Sequence, residues 1–185
     1  MRGRVLQDRP AVSYLVRALA EDDWALLRAV RLQALADAPT AFGSTLTREQ
    51  AFTEEAWRLR ARGSAATRLF IAWSERTAVG IAGVYDEGDG SVQLVSVWVS
   101  AEHRRRGVAR QLTMAALRFA AAQNIDVVRL WVTDGNSSAR TLYESLGFAV
   151  TGNRQPLPSD PALEERELQV RLSARPDLPA GAGPA

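Results

Sequence analysis

The chain of 185 residues contains no cysteine. That absence excludes disulfides, thiolate metal sites and a cysteine nucleophile together. Lysine is missing as well: all 23 basic residues are arginine, which reads as compositional bias before it reads as function. Histidine occurs once, at His103. Long apolar runs are absent, so no stretch is apolar and charge-free enough to span a bilayer. Met1-Arg2-Gly3-Arg4 is not followed by the apolar core of a signal peptide, and the expected location is the cytoplasm with no membrane partner. The net charge of +2 is too small to mark a nucleic-acid binder.

What is present suits one α/β domain. With 46% hydrophobic residues, the chain can bury a single core of ordinary size. Residues 1–11 read as a flexible leader, 12–174 as one domain, and 175–185, rich in Pro, Ala and Gly, as a disordered tail. Ser13 to Ala18 reads as a first strand. Glu21-Asp22-Asp23 gathers negative charge at a helix start, Trp24, Leu27, Leu32 and Leu35 carry its apolar face, and Pro39 stops it. Arg48 to Arg62 reads as a second helix, and Leu69–Trp73 and Val79–Tyr85 as antiparallel strands before the acidic turn Asp86–Gly90. Towards the end, a strand at Phe148–Gly152, a Pro-containing loop at Gln155–Pro161 and a last strand within Glu167–Leu172 are expected.

The most informative segment lies between Val92 and Ala120. Val92 to Val99 is apolar and β-branched almost throughout, as in a strand buried on both faces. After Gly107 the period changes: Val108, Leu112, Ala115, Ala116 and Phe119 share one helical face. A helix that begins after a glycine turn points free N–H groups and its positive dipole end outward, which suits a pyrophosphate. Gly107 lets the backbone approach the ligand, and Ala109 keeps the next position small. Neither the spacing of a P-loop nor that of a dinucleotide fold is present.

Arg104-Arg105-Arg106-Gly107-Val108-Ala109 instead resembles the Arg/Gln-x-x-Gly-x-Gly/Ala signature of the GNAT superfamily, the acyl-CoA-dependent N-acyltransferases. A second block follows: a strand at Val127–Thr133, then Asn136, Ala139, Tyr143 and Gly147-Phe148, resembling the family's Asn-x-x-Ala-x-x-x-Tyr-x-x-x-Gly-Phe helix. The resemblance implies a mixed, largely antiparallel sheet with central strands splayed around acetyl-CoA and helices on both faces. It implies that backbone amides of Arg105 to Arg110 wrap the pyrophosphate while the guanidinium groups of Arg104, Arg105, Arg106 and Arg110 add screened charge. Gly107, Val108 and Ala109 belong to the same turn. Val97 and Val99 would lend strand-edge groups to the pantetheine arm, with N–H groups there polarising the thioester carbonyl. Asn136 would border the cofactor, although it also suits a helix N-cap. In the family the Tyr143 hydroxyl protonates the leaving thiolate; the same residue reads equally as a core aromatic. His103 stands where relatives carry an aromatic beside the phosphate turn, so packing is expected of it.

The expected reaction is acetyl transfer from acetyl-CoA, as co-substrate and without metal, to a primary amine, either of a small molecule or the α-amine of a peptide or protein. Without cysteine, an acyl-cysteine route is closed, and direct attack by the amine in a ternary complex is left. Some family members carry a glutamate base early in the fourth strand; the matching position is Gln93, which cannot take a proton. Either a carboxylate elsewhere works through water, with Glu54, Glu55 and Glu144 as candidates, or the acceptor loses its proton unaided. An α-amino group, of pKa about 7.7–8.0, meets the second condition better than a lysine side chain at about 10.4. Two other classes stay open: a non-catalytic acyl-CoA-binding or sensing module, supported by Gln93, and a nucleic-acid-binding domain using Arg104–Arg106 and Arg110. The acceptor would be read by the first two helices and the loops after the third and sixth strands. The chain is expected as a monomer or homodimer.

Overall fold

The computed structural model describes residues 13–172; the leader expected over 1–11 and the tail expected over 175–185 lie outside them. The elements run β1 (Tyr14–Ala18), α1 (Trp24–Asp37), α2 (Leu46–Gln50), α3 (Glu54–Arg62), β2 (Arg68–Ser74), β3 (Thr77–Asp86), β4 (Val92–Val99), α4 (Val108–Ala122), β5 (Val127–Thr133), α5 (Ser137–Ser145), β6 (Ala149–Leu157) and β7 (Asp160–Arg171). The strands form one seven-stranded sheet in the order β1-β2-β3-β4-β5-β7-β6. Every neighbouring pair is antiparallel except β4 and β5, which run parallel. No helix among the described residues is long and apolar enough to cross a membrane.

Each face of the sheet has its own core. On one, α4 lowers Val108, Leu112, Ala116, Leu117 and Ala120 onto β2–β4, and α5 adds Tyr143. Full burial of a large aliphatic side chain is worth about 1.5–3 kcal/mol, so this row fixes where α4 starts. Gly80 allows the close fit: a Cβ there would stand 2.8 Å from the Trp98 carbonyl oxygen and 3.0 Å from the Leu112 side chain. On the other face, α1 and α3 bury Leu27, Leu35 and Trp57 against Ile71, Ile81 and Trp98.

The sheet is split at its centre. β4 and β5 pair only at Val92 with Val128 and Gln93 with Arg129. Further along β4, the ladder to β3 steps from Gly83–Val95 to Ile81–Trp98, so Ser96 and Val97 together oppose Ala82. Ser96 takes up the extra length with a left-handed φ of 61°. Such a bulge bends its strand and sharpens the twist, turning β4 away from β5 and opening a wedge between them.

Two sequence expectations need correction. The helix expected over Arg48–Arg62 is two helices, because the Thr53 hydroxyl accepts from the Ala56 N–H at 3.2 Å and starts a new one. The loop expected at Gln155–Pro161 is the tip of a hairpin whose strands pair through Leu157 and Asp160. Pro156 is tolerated there because β6 is the sheet edge, where a missing N–H breaks no essential ladder bond.

Candidate active site

The wedge between β4 and β5 opens into a cleft of about 1430 Å³ lined by both strands, the starts of α4 and α5, and the segment joining α1 to α2. Its mouth is the turn before α4. Gly107 is the N-cap with φ 82° and no side-chain cap, and Arg105 is also left-handed at φ 59°. The first N–H groups of a helix have no intrahelical partners, so those of Val108, Ala109 and Arg110 are left for a ligand. Left-handed residues in such a turn help gather N–H groups into an anion-binding concavity. Gly107 is required by its φ rather than by crowding, since a Cβ there would meet nothing within 4 Å.

Arg104, Arg105, Gly107, Val108, Ala109 and Arg110 line the cleft, as do Val97, Val99, Asn136 and Tyr143. Arg106 is exposed and is not among the lining residues. Two of the arginines are committed to the protein. Arg104 Nε donates to the Val99 carbonyl at 2.9 Å while its Nη2 contacts Asp37, which also accepts from Trp98 Nε1 at 2.8 Å. Arg110 Nη1 reaches Ser145 Oγ at 3.2 Å and ties α4 to α5. Arg104 therefore pins β4 to the end of α1, and the Val99 carbonyl already accepts one hydrogen bond.

On the α5 side of the cleft, Asn136 caps the helix, its Oδ1 accepting from the Ala139 N–H at 3.2 Å. Tyr143 follows two turns later, buried beside Phe148 with ring centroids 5.8 Å apart. Burial holds its phenol well above the ordinary tyrosine range, so it stays protonated and able to donate. It is both a core aromatic and a cleft residue. His103 packs edge-on against Tyr14, whose hydroxyl lies 3.1 Å from Nδ1.

Residues 30–148 match the family model described as "Acetyltransferase (GNAT) family". The chain belongs to the GNAT acetyltransferase family. It is 36% identical over 99 residues to human N-acetyltransferase 8, covering 51% of this chain and 42% of that protein. It is 32% identical over 134 residues to the mycothiol acetyltransferase of Thermobispora bispora, covering 69% of this chain and 42% of that one. The chain thus spans less than half the length of these curated relatives. Among solved structures, yncA of Salmonella typhimurium with its cofactor acetyl-CoA superposes with a TM-score of 0.69 at 20% identity, over 90% of this chain and 99% of the other. The ribosomal-protein-S18-alanine N-acetyltransferase of Escherichia coli gives 0.65 at 15%, over 90% and 98%. At these identities the likeness is one of fold.

In this GNAT domain the candidates Glu54, Glu55 and Glu144 do not line the cleft: Glu54 pairs with Arg58 and Glu144 with Arg140, each on its own helix. Gln93 does line it. Three cleft carboxylates escaped sequence reasoning: Asp37, Glu49 and Glu165. Glu49 is buried, with Arg31 Nη2 at 2.8 Å and Arg60 Nη1 at 3.0 Å, and Arg31 Nη1 also donates to Ser96 Oγ at 3.2 Å. Burial opposes ionisation of Glu49, but the two guanidinium groups outweigh it and hold its carboxyl below the usual range. This network fastens α1, α2 and α3 to the bulge. Its members are far apart in sequence, and no local spacing could have joined them.

Proposed function

We propose that the chain transfers an acetyl group from acetyl-CoA to a primary amine, by direct attack within a ternary complex. The observation that carries this is the placement of Tyr143, a buried phenol lining the same cleft as an uncapped helix start. The N–H groups after Gly107 bind the pyrophosphate, and the freed edge of β4 receives the pantetheine arm. At the bulge, strand-edge N–H groups orient and polarise the thioester carbonyl. Attack by the amine lone pair forms the C–N bond, and collapse breaks C–S. Tyr143 gives its proton to the departing thiolate and recovers one from the new amide nitrogen.

The acceptor is either a small molecule or the α-amine of a peptide or protein; an α-amine, of pKa about 7.7–8.0, gives up its proton more readily than a lysine side chain at about 10.4. An acyl-CoA sensor that binds without transfer is the alternative, since Gln93 lines the cleft where a glutamate base would be useful. An amine-library screen that follows release of the CoA thiol, run with acetyl-, propionyl- and succinyl-CoA, separates the two. Amine-dependent thiol release with acetyl-CoA supports the transferase, and tight acetyl-CoA binding without turnover of any amine supports the sensor.

A further inference from the structure

The three carboxylates of the cleft are not equivalent. Asp37 faces Arg104, and Glu49 is clasped by Arg31 and Arg60. Glu165, only 6% exposed, has no cation among the described residues. Among the described residues its carboxylate accepts one hydrogen bond, from Gln155, whose Nε2 donates to Oε1 at 2.6 Å. On β7, Glu167 shares its face but is engaged by Thr151 Oγ1 and Asn153 Nδ2 at 2.7 and 2.9 Å. Arg166, on the opposite side of the strand, is spent on Asp134. Burial raises the Glu165 carboxyl, the Gln155 amide lowers it, and no neighbouring charge enters. A buried carboxylate without a counter-ion is costly to keep. A cation arriving with the substrate would offset that cost.

Gln155 and Thr133, the two residues registered opposite Glu165, also line the cleft, so the carboxylate faces the reaction space rather than the sheet interior. We propose that Glu165, held in place by Gln155, receives the ammonium group of the acceptor and takes its proton before attack. The role presupposes amine acetylation and supplies the base that Gln93 cannot be. One N–H bond of the ammonium breaks, its proton passes to a Glu165 oxygen directly or across one water, and the freed lone pair attacks the thioester carbon. Glu165 then releases that proton to solvent, while the thiolate is protonated through Tyr143. A proton acceptor whose pKa lies above the usual carboxylate range is better matched to work near neutrality.

The test uses amines that turn over in the screen, chosen to differ in basicity, with Glu165→Gln and Gln155→Leu. For the parent, the acidic limb of kcat/KM against pH should fall at one pH for every amine. In Glu165→Gln, kcat/KM at neutral pH should fall about 10²- to 10⁴-fold, that limb should vanish, and activity should return only as pH approaches the pKa of each free amine. Calorimetric affinity for acetyl-CoA should be unchanged. Gln155→Leu should keep the limb and move it to higher pH, since loss of its N–H leaves the charged form less stabilised. A Glu165→Gln enzyme that matches the parent, or loses activity equally at all pH values with the limb intact, overturns the role while leaving the transferase standing. A parent that binds acetyl-CoA and acetylates no amine overturns both.

Discussion

Replacing Glu49 by glutamine should cost this protein a large part of its stability. The carboxylate is 1% exposed and Arg31 is 6% exposed. Its oxygens accept from Arg31 Nε at 3.0 and 3.2 Å, Arg31 Nη2 at 2.8 Å and Arg60 Nη1 at 3.0 Å. The amide removes the negative charge and turns an NH₂ group onto guanidinium donors, leaving Arg31 buried without a counter-ion and with one amide oxygen, Ser96 Oγ and the Phe42 ring, 4.6 Å from its Cζ, as partners. Removing one partner of a buried pair costs about 3–5 kcal/mol. At about 2–4 °C per kcal/mol for a domain of this size, Tm should fall by roughly 6–20 °C. Thermal unfolding followed by circular dichroism reads this directly. Because apolar replacement of a whole buried pair is often neutral, Arg31→Met with Glu49→Leu should cost less than the sum of the two single changes, a coupling measured by the cycle. A Tm loss for Glu49→Gln under about 2 °C, or strict additivity in the cycle, would refute the reasoning.

Gly107→Val should weaken acetyl-CoA binding in calorimetric titration, because a β-branched residue at φ 82° is strained by about 1–3 kcal/mol and puts a Cβ at the phosphate turn; unchanged affinity in a folded variant would remove the turn from the site. Asp37→Asn should loosen Arg104 and Trp98 together, seen as changed tryptophan fluorescence and weaker acetyl-CoA affinity. Glu165 holds its proton more tightly folded than unfolded, so its contribution to stability falls as pH rises from the usual carboxylate range through its folded pKa. Glu165→Gln should therefore gain stability relative to the parent as pH rises through that window, and a pH series of Tm values that stays parallel for the two would contradict this.

The parts of the site that lie close together in the chain were legible in the sequence. Gly107 and the apolar row from Val108 mark the start of α4 because turn and helix are local, and Asn136 with Tyr143 follows on one short helix. What depends on distant pairing was not. Arg104 reads as a phosphate ligand beside Arg105, yet Asp37 and the Val99 carbonyl hold its guanidinium. Arg31, Glu49 and Ser96 come from three separate elements and meet only when α1 and α2 cover the sheet. Glu165 precedes the strand expected within Glu167–Leu172; the unforeseen length of the β6–β7 hairpin brings it to the cleft. The Ser96 bulge carries no glycine to announce its left-handed φ.

The most direct test is a paired measurement on Tyr143→Phe: turnover by CoA thiol release and acetyl-CoA affinity by calorimetry, against the parent. The phenol hydroxyl is needed only when the thiolate departs, and the ring that packs on Phe148 is retained. The variant should bind acetyl-CoA as the parent does while kcat falls about 10²- to 10⁴-fold. A variant that turns over as fast as the parent across the pH range would contradict the account and leave Tyr143 as packing alone.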